Sequence, residues 1–130
     1  MPQATPAEIA ARSHLLDFTT YTYPAYEVNW HHRLTCTLLD DFATKSDQRL
    51  MIFAQPRSGK SELVSRRLPA YILGRDPDAW IIAASYGAEL ARSMNRDVQR
   101  IMDGDEYRRL FPATQLWGKN VRSMADGSYL

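Results

Sequence analysis

A single cysteine, Cys36, leaves the chain without an intrachain disulfide framework and fits a reducing cytoplasm. No apolar run approaches the roughly 20 residues needed to span a bilayer. The opening Met1-Pro2-Gln3-Ala4 has neither the basic nor the apolar region of a signal peptide. An excess of one charge is missing too: 16 Lys and Arg stand against 15 Asp and Glu, a formal net charge of +1. That balance gives no global electrostatic case for nucleic acid, so any such contact has to come from a local patch. Internal repeats and low-complexity tracts are also lacking. Together these absences predict a soluble, cytoplasmic protein with no membrane partner. What is present is an ordinary globular mix, 45% hydrophobic and 24% charged over 130 residues, enough for one domain with a real core.

Thr5, Pro6 and Glu8 carry a capping-box start and predict a helix to about Asp17. The aromatic and β-branched stretch 19–28 reads as extended. Asn29 caps a second predicted helix, in which Trp30, Leu34, Leu38 and Phe42 recur every four residues as a buried stripe. After a polar loop at 45–48, Leu50-Met51-Ile52-Phe53 is a short continuous apolar run, the mark of a strand buried on both faces. Ala79-Trp80-Ile81-Ile82-Ala83-Ala84 is a second such run. Between them a helix is predicted from about Ser61, bent or ended by Pro69, with a turn at Gly74 and Asp76-Pro77-Asp78. A further helix starts near Ala88, with Leu90, Met94, Val98 and Ile101 on its core face, and a short helical turn covers Glu106 to Leu110. The tail from Gln115 is weakly patterned. Helices alternating with two buried strands predict an α/β fold, a P-loop NTPase-type parallel sheet with flanking helices and a right-handed crossover. Residues 1–48 read as a helical lead-in, and 49–130 as the start of a nucleotide-binding domain that is incomplete at its C-terminal end.

Ala54-Gln55-Pro56-Arg57-Ser58-Gly59-Lys60-Ser61 follows the phosphate-loop pattern G-x-x-x-x-G-K-[ST], with alanine in place of the first glycine. Gly59 lets the backbone pass close to phosphates. Amides from about Ser58 to Glu62 form an anion nest, and the following helix adds its positive N-terminal end. Lys60 is the residue type that reaches the β- and γ-phosphates of ATP, and the Ser61 hydroxyl is the one that coordinates Mg2+. Arg57 has two readings, a solvated arginine in a turn or a charge clamp on the γ-phosphate.

These residues resemble the large subunit of tailed-phage terminases, the motor that packages viral DNA into a preformed capsid. The carrying segments are Asn29-Trp30-His31-His32-Arg33-Leu34, Pro56-Arg57-Ser58-Gly59-Lys60-Ser61-Glu62-Leu63-Val64-Ser65, Ile81-Ile82-Ala83-Ala84-Ser85-Tyr86 and Met94-Asn95-Arg96-Asp97-Val98-Gln99-Arg100. The resemblance makes Ala54 and Arg57 look like family traits. It implies an ATPase domain, a metal-dependent nuclease domain and a ring of subunits at the capsid portal. It also implies double-stranded DNA and a small DNA-recognising subunit as partners, inside a phage-infected or prophage-carrying host. By the same comparison the chain stops before an apolar strand ending in acidic residues, the Walker B element that hydrolysis requires. Two other functions fit the loop: a non-catalytic nucleotide-binding remnant, and a different P-loop NTPase such as a small kinase.

Upstream of the loop, Trp30 and His32 stand where related motors hold adenine. The alternative makes Trp30 core and His31-His32 a half-exposed helix start. Ser85-Tyr86-Gly87 is either a plain turn or a loop that touches DNA. Arg92, Arg96 and Arg100, with Lys119 and Arg122 beyond them, are either a solvated face or a row for DNA phosphates. Cys36 reads as packing.

Overall fold

The computed structural model describes residues 3–116. It consists of six α-helices and one π-helical turn: α1 (Pro6–Ser13), α2 (Leu15–Thr22), α3 (Trp30–Thr44), the π turn (Glu62–Arg67), α4 (Leu68–Arg75), α5 (Ala88–Asp103) and α6 (Asp105–Leu110). The α1 start is the capping box the sequence predicts. The Thr5 amide donates to Glu8 Oε2 at 2.7 Å and the Glu8 amide to Thr5 Oγ1 at 3.2 Å.

The single helix predicted to about Asp17 is two. His14 is extended, at φ −135° and ψ 132°, and α2 begins afresh after it. The break is stabilised from outside: Asp40, on α3, accepts the Leu15 amide at 3.0 Å and so satisfies a donor that a helix start leaves unpaired. The stretch from Thr19, predicted as extended, instead continues α2 to Thr22. Its β-branched hydroxyls return to backbone carbonyls one turn back, Thr19 to Leu15 at 2.8 Å and Thr22 to Phe18 at 2.8 Å. Leu15 and Phe18 are fully buried.

Phe18 lies against Tyr71 of α4 (ring centroids 5.5 Å apart), Tyr107 of α6 (6.1 Å) and Phe111 (6.1 Å). The Tyr107 hydroxyl, which burial keeps protonated, donates to the Ala70 carbonyl at 2.8 Å. Gly74 sits under the Phe111 ring, and a Cβ there would approach it to 2.4 Å. This glycine is therefore a packing requirement inside α4, not the turn residue predicted. Deleting one such ring from a core of this kind costs about 3–5 kcal/mol.

Pro69 was predicted to bend or end its helix. The helix passes through it to Arg75 because the turn upstream is wide, with the Leu68 amide reaching back five residues to the Leu63 carbonyl. A proline ring crowds the carbonyl four residues before it and offers that carbonyl no donor, and a π register relieves the conflict. The extra residue turns Arg67 inward. Its Nε donates to Glu62 Oε1 at 2.8 Å, its Nη1 to Thr22 Oγ1 at 2.9 Å, and its guanidinium lies 5.3 Å from the Tyr23 ring centre.

The predicted α/β class is wrong for this structure: the only regular structure in the described residues is helix, with no strand and no sheet. Residues 50–53 and 79–84 are non-helical, but no backbone hydrogen bond joins them to one another. A strand is stable only in a ladder, and the short apolar runs that suggest one, of four and six residues, carry no information about a partner. Ile52 and Ile81 are half-buried, while Met51 (82%), Phe53 (91%), Trp80 (98%) and Ile82 (95%) are exposed. The buried stripe of α3 also differs from the one predicted. His32, Cys36 and Leu39 are buried, and Trp30, Leu34 and Leu38 are exposed. On α5, Val98 and Met102 are buried, with Leu90, Met94 and Ile101 half-buried around them.

Side chains this exposed and this apolar promote association. The protein is expected to sediment as concentration-dependent oligomers, and the variant Met51→Ser, Phe53→Ser, Trp80→Ser, Ile82→Ser to shift toward monomer without loss of thermal stability. A wild type that sediments as a clean monomer at high concentration would refute this.

A second expectation concerns Asp40. Burial raises its pKa above the usual 3.8, against the lowering effects of the Leu15 amide and of His14. A carboxyl whose pKa rises on folding holds its proton more tightly in the native state. Its contribution is therefore full below about pH 3.8 and is lost as pH rises through the higher folded value. Asp40→Asn keeps an acceptor for Leu15 and should remove that downward slope. Denaturant titrations across pH, compared between wild type and variant, test this; parallel stability curves would exclude it.

Candidate nucleotide-binding loop

Residues 54–59 form a turn that runs directly into the helix beginning at residue 60. Of the pattern's two flanks, the helix after the loop is present and the strand before it is not. Two residues of the turn lie in the left-handed region, Arg57 at φ 60° and Gly59 at φ 83°. Glycine enters that region without strain, whereas arginine there carries a steric cost. Gly59 is also hemmed in. A Cβ on it would lie 2.8 Å from both His32 Nε2 and the Tyr26 hydroxyl, so conformation and space both require glycine.

The loop is backed by the first turn of α3 and by Tyr26 in the segment ahead of it. His32 Nε2 donates to the Ser58 carbonyl at 2.6 Å, and His31 Nε2 reaches the same oxygen at 3.2 Å. Tyr26 donates its hydroxyl to the Gly59 carbonyl at 3.4 Å. Burial first, with Cys36 and Glu62 adding to it, pushes the Tyr26 pKa up to about 12, so the hydroxyl stays a donor across neutral pH. The Gly59 carbonyl also takes the first helical hydrogen bond, from the Leu63 amide at 3.2 Å. The amides ahead of Leu63 belong to the helix's unpaired N-terminal turn.

Each predicted site residue has a definite place. Gln55, Pro56 and Arg57 are exposed, Ser58, Gly59 and Lys60 half-buried, and Ser61 exposed on the first helical turn. The Ser58 Oγ is buried and has no hydrogen-bond partner. Glu62 commits its carboxylate to Arg67 at 2.8 Å and Arg66 at 3.6 Å, so only its amide is available to a ligand. Trp30 is not core: it is 74% exposed, edge-on to His31 at 5.7 Å. His32 is buried, but against the loop and Tyr26 (ring centroids 5.1 Å) and not on an open base-binding surface.

These surroundings fit a phosphate group: a left-handed glycine, unpaired helix-start amides and a lysine follow one another on one short turn. Among the described residues no group of three or more His, Cys, Asp or Glu side chains could hold a metal by itself. Ser61 Oγ is the loop side chain that would hold a magnesium ion brought in with phosphate, an ion that commonly keeps few protein ligands. Sequence reasoning missed Tyr26 and the loop contact of His31. The one available signal was His32 at the third helical position, where a side chain folds back on the cap, as Asn29 N–H to His32 Nδ1 at 2.9 Å does here.

The remaining candidates are less organised. On α5, Arg96 pairs with Glu89 and Arg100 with Asp97, while Arg92 is exposed. Lys119 and Arg122 lie outside the described residues. Ser85 and Tyr86 are exposed ahead of α5. Cys36 is buried and its pKa is pushed up to about 12, first by burial and then by Asp40 and Asp17, which keeps it an inert thiol. A cleft of about 220 Å³ between α2, the π turn and the α5–α6 corner, lined by Thr22, Arg67, Arg100 and Glu106, includes no residue of the loop. No described helix is long and apolar enough to cross a membrane. No protein family, no curated protein and no solved structure matches the chain.

Proposed function

We propose that this chain binds the phosphates of ATP on residues 54–61 and is part of a DNA-packaging motor of the terminase large-subunit type. The observation that carries the phosphate-binding half is Gly59, left-handed and closed in by His32 and Tyr26, immediately before Lys60 and Ser61 at a helix start. The motor half rests on the residue resemblance around Trp30, the loop and α5. Its partners are then double-stranded DNA, a small terminase subunit, the capsid portal and further copies of the chain in a ring.

In this reading Lys60 sets its ammonium on the β- and γ-phosphate oxygens, and the amides from Ser58 to Glu62 receive the remaining charge. Ser61 Oγ is the protein ligand for the Mg2+ that accompanies ATP and offsets phosphate charge. Arg57 is exposed at the rim, where its guanidinium can approach the γ-phosphate. Trp30 offers an open indole beside the loop-contacting His31, a surface on which adenine can stack.

Binding without rapid turnover is favoured by one further observation. Glu62, the acidic residue nearest the loop in sequence, is engaged by two arginines. Hydrolysis needs a carboxylate to orient the attacking water and complete the metal shell.

Lys60→Ala should weaken binding of a fluorescent ATP analogue by about 10- to 100-fold, the worth of a charge-assisted hydrogen bond. Equal anisotropy titrations for wild type and variant would exclude the site. Phosphate release by the wild-type chain with Mg2+ and double-stranded DNA should stay below about 1 per second, the low end for enzymes. Faster steady release that disappears in Lys60→Ala would mean that a water-activating carboxylate is supplied within these residues or by another copy.

A further inference from the structure

Resting on that phosphate-binding reading, we propose that His32 is a positioning residue that presets the loop's peptide planes for an oxyanion. Its two ring nitrogens have opposite roles. The Asn29 amide can only donate, so Nδ1, 2.9 Å away, accepts. The Ser58 carbonyl can only accept, so Nε2, 2.6 Å away, carries the proton and donates. One tautomer of the neutral ring satisfies both bonds, and the ring is buried between them.

The consequence lies in the peptide that follows. In a trans peptide the carbonyl and the next residue's N–H point in opposite directions across one plane, and no described peptide is cis. Holding the Ser58 carbonyl toward His32 and His31 therefore turns the Gly59 amide away from them. Tyr26 and the Leu63 amide hold the Gly59 carbonyl in the same manner, at 3.4 and 3.2 Å, which fixes the Lys60 amide. Two consecutive amides are thereby aimed before any ligand arrives, and a carbonyl that would otherwise repel phosphate oxygens is held back. The ordering cost of assembling the nest is met on folding and not on binding. Histidine at this position thus does more than cap α3, since a cap alone needs only the acceptor.

Glutamine and glutamate separate the two roles. Both can accept the Asn29 amide, as either does at the third position of a capping box, but only glutamine can donate to Ser58. His32→Met removes both functions without adding charge. Titrated with a fluorescent ATP analogue and Mg2+, His32→Gln is expected to retain most of the wild-type affinity. His32→Met should be weaker by about 3- to 10-fold, the worth of one net hydrogen bond, and His32→Glu weaker still, with a carboxylate facing a carbonyl. Thermal melts accompany each variant, because Glu should cap α3 as well as Gln does. In the unliganded wild type, the nitrogen chemical shifts of His32 should report the Nε2–H tautomer. An Nδ1–H tautomer, or Met and Glu variants that bind as tightly as wild type, would overturn the clamp alone. A wild type that binds no nucleotide would end the phosphate-site reading, and this role with it.

Discussion

Phe18 is the contact on which the rest of the molecule depends. Its ring touches Tyr71, Tyr107 and Phe111, and so ties α2 to α4, to α6 and to the chain just beyond α6. Everything near the loop at 54–61 hangs from that arrangement. Once α2 is seated, Tyr23 and Tyr26 follow from its end, and α3 returns beneath the loop with His31 and His32 at its head. Large aromatic rings suit this task because each buries much apolar area with few rotamers to fix.

The π turn links this core to the loop. Glu62 stands one residue past Ser61 and holds Arg66 and Arg67 together, while Arg67 reaches Thr22 and lies over Tyr23. A partly buried guanidinium is tolerable only when its donors are matched, and here a carboxylate, a hydroxyl and an aromatic face share it. Asp97 on α5 takes Arg66 at 2.8 Å. The loop's helix is thereby fastened on two sides within its first two turns.

Features governed by neighbours in sequence were legible: the Thr5–Glu8 cap, the α3 start after Asn29, the turn through Gly59, and the helices near Ala88 and Glu106. Features governed by neighbours in space were not. Leu50 to Phe53 and Ala79 to Ala84 have strand-like composition, but composition cannot supply a ladder partner. Trp30, Leu34 and Leu38 repeat every four residues, yet that row drifts around the cylinder, and the face that meets the core carries His32, Cys36 and Leu39. A histidine in a buried row is easily skipped, because its burial is justified by two hydrogen bonds and not by hydropathy. The break at His14 needs Asp40, 25 residues from the Leu15 amide it accepts. The passage through Pro69 needs a register change that no propensity scale encodes.

The sequence distance across the core also has a temporal meaning. Arg12 donates to the Arg109 carbonyl at 3.1 Å, a contact between residues 97 apart in the chain, and Phe18 needs Tyr107 and Phe111 to complete its surroundings. A ribosome adds about 5–20 residues per second, so the first two helices wait on the order of ten seconds for the segment that covers them. Throughout that interval Leu15 and Phe18 lie on a short amphipathic helix that cannot persist unaided in water. The segment around Phe18 is thus synthesised well before the rings that cover it, and until then it can be held by a chaperone but not by its own core.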